Sequence, residues 1–281
     1  MPQIALSELR SRIEQVFEDS YARRTDAIVE LLADFRAELN AGRARAVDLI
    51  NGRWQVNGWV RKGIVLHARF GHLIDTSAEL QSTSFEYDTM PVRRFSLEEA
   101  VRVPGGSTIR DGCYLARGVV CLPPSFVNIG VYVDEASTID SHCSIGACTR
   151  IGKRVAINPG VQIGGVMQPI EMLPTIIGDD AILGGQSGVY DGVLVSAGAV
   201  IAAGVVLTRQ SVLYDPRRKE THRSAPGGSL IVPPMAVVVA GARFLDKGAG
   251  VGSGLLANVP VIAGYRDDPN LGEFVLSELM N

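Results

Sequence analysis

The chain has 281 residues, with 27 Lys and Arg against 30 Asp and Glu, a formal net charge of −3, and a hydrophobic fraction of 46%. That balance offers no basic field for a nucleic-acid partner, and no apolar run is long enough for a membrane-spanning helix. The opening MPQIALSELRSRIEQ is polar and amphipathic rather than leader-like, so a cytoplasmic, bacterial-style protein is expected.

Residues 4–48 read as helices. Ile4, Leu6, Leu9, Ile13 and Phe17 mark one apolar face, and Ile28, Leu31, Leu32, Phe35 and Leu39 mark another. Asn40-Ala41-Gly42 supplies a stop for the second helix. A turn signal at Asn51-Gly52 precedes a tryptophan-bearing segment and a further apolar stretch, Ile64 to Phe70. Residues 71–90 are polar and irregular.

From Val103 onward an aliphatic residue returns every sixth position: Ile109, Leu115, Val127, Val133, Ile139, Ile145, Ile151, Ile157 and Ile163, with Cys121 as the one small exception. The beat resumes at Ile177 and runs through Leu183, Val189, Val195, Ile201 and Leu207 to Leu213. Four residues after many beats stands a small or β-branched residue, such as Cys113, Ser125, Ser137, Thr149, Val155, Ala181 or Ser187. A helix repeats every three to four residues and a sandwich strand every two, so a fixed period of six indicates a hexapeptide β-solenoid. Three hexads close one triangular coil, and the eighteen hexads of the register make about six coils. The N-terminal helices are expected to cover one end of this solenoid, because an open strand edge invites aggregation.

Two stretches break the register, Gly165–Pro174 and the charged Tyr214–Arg223, and loops that leave a regular scaffold commonly carry function. An apolar run from Leu230 to Val239 returns to the sheet, and a Gly-rich tail ends in a helical stretch at Leu271–Met280. The expected divisions are a helical domain over 1–100, the solenoid over 101–240 and a C-terminal extension over 241–281. Cys113, Cys121, Cys143 and Cys148 form no CxxC pair, so they read as small buried residues in a reducing compartment and no metal is expected.

Several segments together resemble the tetrahydrodipicolinate (2,3,4,5-tetrahydropyridine-2,6-dicarboxylate) N-succinyltransferases. They are NGRWQVNGWVRKGIVL, Phe85-Glu86-Tyr87-Asp88, Pro124 to Gly130, Tyr132 to Glu135, Ile139-Asp140, Gly164-Gly165-Val166 and Pro174 to Ile177. The resemblance covers nearly the whole chain. It implies a mainly β fold, a left-handed parallel β-helix of hexapeptide repeats with an N-terminal α-helical domain. It also implies a homotrimer with sites between subunits, acting in lysine and diaminopimelate synthesis. Succinyl-CoA is then a co-substrate, with no permanently bound cofactor, and the acceptor is a small amino-dicarboxylate.

Attack of an amine on a thioester needs a proton acceptor and donors for the developing oxyanion. By resemblance, Asp140 is the acidic residue that orients or deprotonates the amine, and Arg102 binds an acceptor carboxylate, which a guanidinium can hold bidentately. Asn128 and Gly165, with the loop to Pro174, are placed in the acceptor pocket. Ala203, Gly204 and Gln210 fall nearest the family's CoA contacts, with Arg217–Lys219 as a weaker set. A corner-forming role for Asp140 and a solvated surface role for Arg102 are the plain structural readings.

One departure stands out. Where the family reads Gly-Ala-Arg-Ser-Glu, this chain reads Gly184-Gly185-Gln186-Ser187-Gly188, so an arginine and a carboxylate are lost. Asp140 alone then serves as base, or His142, Tyr190 or Asp191 substitutes; an imidazole has a pKa suited to proton transfer. The loss leaves three functions open at this level. They are succinyl transfer, acetyl transfer from acetyl-CoA by a paralogue in a tabtoxin-like pathway, and a non-catalytic scaffold or ligand sensor.

Overall fold

The computed structural model describes residues 5–77, 83–244, 254 and 256–268; Ile4 and the helical stretch expected at Leu271–Met280 lie outside them. Sixteen two-residue strands follow one another from Thr108–Ile109 to Val206–Leu207 and stack in three parallel sheets. Each strand pairs with the one three hexads later, as in Ser144↔Gln162 and Ile145↔Ile163. Across the Gly165–Pro174 excursion three successive strands find their partners 26 residues on, Arg150↔Ile176, Ala156↔Ile182 and Gln162↔Gly188, and the three-hexad spacing returns at Ile176↔Leu194. The excursion is therefore extruded from a corner without disturbing the coil.

The beat residues point inward and nearly all are excluded from solvent, so each contributes about 1.5–3 kcal/mol of burial. The small residues four positions later face the same interior, and their polar groups stitch coil to coil. Ser137 Oγ donates to Gly152 O (2.7 Å) and accepts from Val155 N–H (2.9 Å). Ser125 does the same with Asp140 O (2.9 Å) and Cys143 N–H (3.1 Å). A buried hydroxyl is tolerated because both capacities are used. All four cysteines are buried and free. Burial pushes the thiols of Cys121, Cys143 and Cys148 up to about 11, so they behave as apolar filler.

The register ends sooner than the beat suggests. Arg102 makes one isolated bridge to Val120, and the strand containing Leu213 leaves the coil to pair with Glu220–His222 and Val261. The upper end is closed by a long antiparallel pair, Ala236–Phe244 with Leu256–Tyr265, whose first strand adds to Val200–Ile201. That strand runs through residue 240, so the C-terminal hairpin continues the solenoid's own sheet.

Helices α1 (Leu6–Glu18), α2 (Asp26–Asn40) and α3 (Gly58–Phe70) form a second core around Leu9, Ile13, Leu32, Phe35 and Val60. Between α2 and α3, strands β1 (Val47–Ile50) and β2 (Arg53–Val56) form a hairpin across Asn51-Gly52, both at positive φ, as a tight two-residue turn requires. The helices do not cover the solenoid end. Ile129, Ala147 and Cys148 belong to their core, so they lie along one corner edge across successive coils. Arg36 Nε and Asn40 Nδ2 fasten α2 to Asp111 at that edge (3.1 and 2.6 Å). The lower end is closed by the chain leading in, with Phe95, Val101 and Val103 packed on the interior.

Candidate active site

Asp140 follows the inward Ile139, so its side chain leaves the corner outward and is half-buried. Its main chain is held at both poles: the N–H donates to Ile157 O (2.9 Å), and the carbonyl accepts from Ser125 Oγ (2.9 Å). Oδ1 accepts from Ser141 N–H at 2.6 Å. Among the described residues Oδ2 has no hydrogen-bond partner, so a fixed carboxylate presents one open oxygen. His142 sits on the same corner in the left-handed region (φ 61°), where His is tolerated better than most residues. It is exposed, and no hydrogen bond or ion pair joins its ring to Asp140. Arg102 is exposed on the same sheet, below Val120 and Thr138, so two strand spacings, about 10 Å, separate it from the Asp140 coil.

Asn128, Gly165 and Tyr190 belong to a different corner. There Asn128 N–H donates to Ile145 O, Gly146 N–H to Ile163 O and Gly164 N–H to Val189 O, one coil above another (2.9, 2.7 and 2.8 Å). Asn128 Oδ1 accepts from Ile129 N–H (2.9 Å), which turns its amide away from the main chain. Gly146 and Gly165 touch backbone to backbone: a Cβ on Gly146 would lie 1.9 Å from Gly165 N. That contact sets the angle at which the excursion leaves the coil.

The excursion is held at its far side by Arg61, which is fully buried on α3. Arg61 Nη1 donates to Ile170 O, to Met172 O (2.5 Å) and more weakly to Pro169 O (3.4 Å). The sequence carries only a faint signal for Arg61, a charge three residues before Ile64 on the apolar side of the helix, and the motif reading misses it. Of the residues considered as substitutes for the lost carboxylate, Asp191 is an exposed corner residue at φ 55°. Tyr190 lies across Gly188 itself: a Cβ on Gly188 would fall 2.6 Å from its Cε2.

Gly204 and Gln210 line a cavity of about 370 Å³ between the last coil and the C-terminal hairpin, together with Arg243, Asn258 and Pro260. Ala203 does not line it; its N–H is pressed toward Gly184, where a Cβ would come within 2.4 Å. The hairpin's contribution is hidden in sequence, because Arg243 and Asn258 sit in a tail with no repeat register. The basic Arg217–Lys219 stretch is mostly spent on structure. Arg217 pairs with Asp268, Arg218 lies over the Tyr265 ring (3.9 Å), and both backbone N–H groups cap Asp215 Oδ1 (3.1 and 3.0 Å).

A triangular β-helix of hexapeptide coils with an excursion anchored at one corner is the scaffold of the hexapeptide-repeat class, and the relatives of this chain are acyltransferases. Residues 174–209 match the hexapeptide repeat of succinyl-transferase, and residues 8–70 match the tetrahydrodipicolinate N-succinyltransferase N-terminal domain. The 2,3,4,5-tetrahydropyridine-2,6-dicarboxylate N-succinyltransferase of Sodalis glossinidius is 34% identical over 243 residues, covering 81% of this chain and 85% of its own. The enzyme of that name from Acinetobacter baylyi is also 34% identical, covering 81% and 86%. The one from Nitrobacter winogradskyi is 36% identical over 211 residues, covering 73% and 72%. The chain belongs to the 2,3,4,5-tetrahydropyridine-2,6-dicarboxylate N-succinyltransferase family.

Proposed function

We propose that this chain transfers the succinyl group of succinyl-CoA to the amine of tetrahydrodipicolinate, or its open form L-2-amino-6-oxopimelate, in lysine and diaminopimelate synthesis. The observation that carries the reading is Asp140, a corner-fixed carboxylate with an open oxygen in a chain that matches these transferases over four-fifths of its length. The amine nitrogen attacks the thioester carbonyl, forming the C–N bond as the C–S bond breaks. Asp140 Oδ2 takes the proton that nitrogen loses and passes it to the departing CoA thiolate, which leaves as the thiol and returns Asp140 to its ionised form. Arg102, on the same sheet, pairs with an acceptor carboxylate.

The Asp140 corner and the Asn128–Gly165 corner are separate edges of one prism. A site using both takes them from two copies, which supports a homotrimer with grooves between subunits. The cavity beside Gly204, Gln210 and Arg243 accommodates part of the CoA chain. His142 is a secondary contact at the Asp140 corner.

Incubating the protein with the acceptor and an equimolar mixture of succinyl-CoA and acetyl-CoA, then weighing the product by mass spectrometry, tests this reading. The expected product carries a succinyl group. An acetylated product moves the chain to a different donor, and no acylated product from either donor removes the enzymatic reading.

A further inference from the structure

Val189 points inward, so the side chains at 188 and 190 leave the same strand on its outer side. Position 188 is glycine, and Tyr190 folds back across it. A Cβ on Gly188 would lie 2.6 Å from Tyr190 Cε2 and 3.3 Å from its hydroxyl, and a Cβ on Gly164, one coil below, would lie 2.6 Å from Cδ1. Neither glycine has a positive φ, so no turn requirement explains them. Their shared consequence is a slot two coils deep that receives one aromatic ring. The ring is half-buried there, yet its hydroxyl makes no hydrogen bond to any described residue.

We propose that Tyr190 is a specificity-determining residue whose hydroxyl donates a hydrogen bond to a carboxylate oxygen of the acyl acceptor. This rests on the reading of the Asn128–Gly165 corner as one wall of the acceptor groove. With glycine at 188, the group this strand presents outward at that point is a phenol hydroxyl, which can donate to an anionic oxygen. The bed of main chain beneath the ring fixes the donor before ligand arrives, so little ordering is left to oppose binding. The same corner also carries the start of the Arg61-anchored excursion.

Tyr190→Phe keeps the ring and removes only the hydroxyl. With succinyl-CoA saturating, KM for the acceptor should rise about ten- to a hundred-fold, the range for one hydrogen bond to a charged group. KM for succinyl-CoA and the unfolding midpoint should stay unchanged. Gly188→Ala, which pushes the ring off its bed, should raise the acceptor KM in the same way. A wild-type acceptor KM in Tyr190→Phe overturns the assignment, as does a parallel rise in both KM values with a lowered unfolding midpoint. Should the wild-type chain turn over no acceptor, the functional reading fails on its own. Calorimetric titration with 2-aminopimelate then still decides the inference. Binding weakened at least tenfold in Tyr190→Phe upholds it; equal binding, or none by wild type, overturns it.

Discussion

Replacing Arg61 by Met keeps a long unbranched side chain on α3 and removes the guanidinium on which three carbonyls of the 165–174 excursion converge. Two of those contacts are close, and hydrogen bonds to a charged donor contribute about 1.5–3 kcal/mol each. The loss is therefore about 3–6 kcal/mol before desolvation is considered. Burial of the charge works in the opposite direction and pushes the Arg61 pKa down, with Cys148 and Glu171 opposing it. Nε and Nη2 find no hydrogen-bond partner among the described residues, so part of that cost stays uncompensated. Relief of this cost leaves a net destabilisation of about 2–3 kcal/mol, or roughly a 30- to 160-fold greater opening of the excursion. Amide exchange and limited proteolysis across 165–174 measure that opening directly. Arg61→Lys, whose ammonium can serve some of the same carbonyls, should fall between wild type and Met. Wild-type protection in Arg61→Met would mean that the Gly146–Gly165 contact holds the excursion alone, and the anchoring argument would be refuted.

Gly146→Ala places a methyl carbon 1.9 Å from Gly165 N and 2.5 Å from its Cα, so two backbones must part; a loss of about 3 kcal/mol and a lowered thermal midpoint are expected. Stability should fall as pH drops through the range set by His67. It is buried with Nδ1 against Gly63 O, and desolvation lowers its pKa from 6.5 to about 4. The unfolded chain then binds the proton first, so stability is intact above about pH 6.5 and declines by about 3 kcal/mol on the way to pH 4. Urea titrations of His67→Leu over that range should show a flatter slope, and an unchanged slope would contradict the assignment. Tyr265 donates to Asp215 Oδ2 at 2.6 Å, and burial together with that carboxylate pushes the phenol up to about 12. Tyr265→Phe should lower stability by about 1–3 kcal/mol, read by thermal unfolding, because buried Asp215 keeps only its backbone donors.

The solenoid was legible because its inward position recurs at a spacing no helix or flat sheet shares, and Ile139, Ile145 and Ile151 occupy it without exception. A second column was not legible: Gly106, Gly112, Gly118, Gly130 and Gly160 turn the corner at positive φ, but Ala136, Cys148 and Arg154 share that register and conformation. His142 stands in that column, which is a structural reason for its backbone conformation. The helices were recognisable by their faces, but their seat along the corner edge depends on Ile129, Ala147 and Cys148, whose outward direction no local pattern distinguishes. At Gly188 the family resemblance implied a lost carboxylate. Only the packing of Tyr190 onto Gly164, 26 residues away, revealed what fills the space. Arg217 and Arg218 show the opposite case, a basic run that resembles a phosphate site and is used to hold Asp215, Tyr265 and Asp268.

The most direct test of acyl transfer from the Asp140 corner is the rate of CoA thiol release from succinyl-CoA, with and without the amino-dicarboxylate acceptor, in wild type and Asp140→Asn. Asparagine keeps the oxygen that receives Ser141 N–H and loses the proton-accepting carboxylate. Release that depends on acceptor in wild type and falls about a hundred-fold or more in Asp140→Asn is the predicted result. Equal acceptor-dependent rates in the two proteins would contradict it.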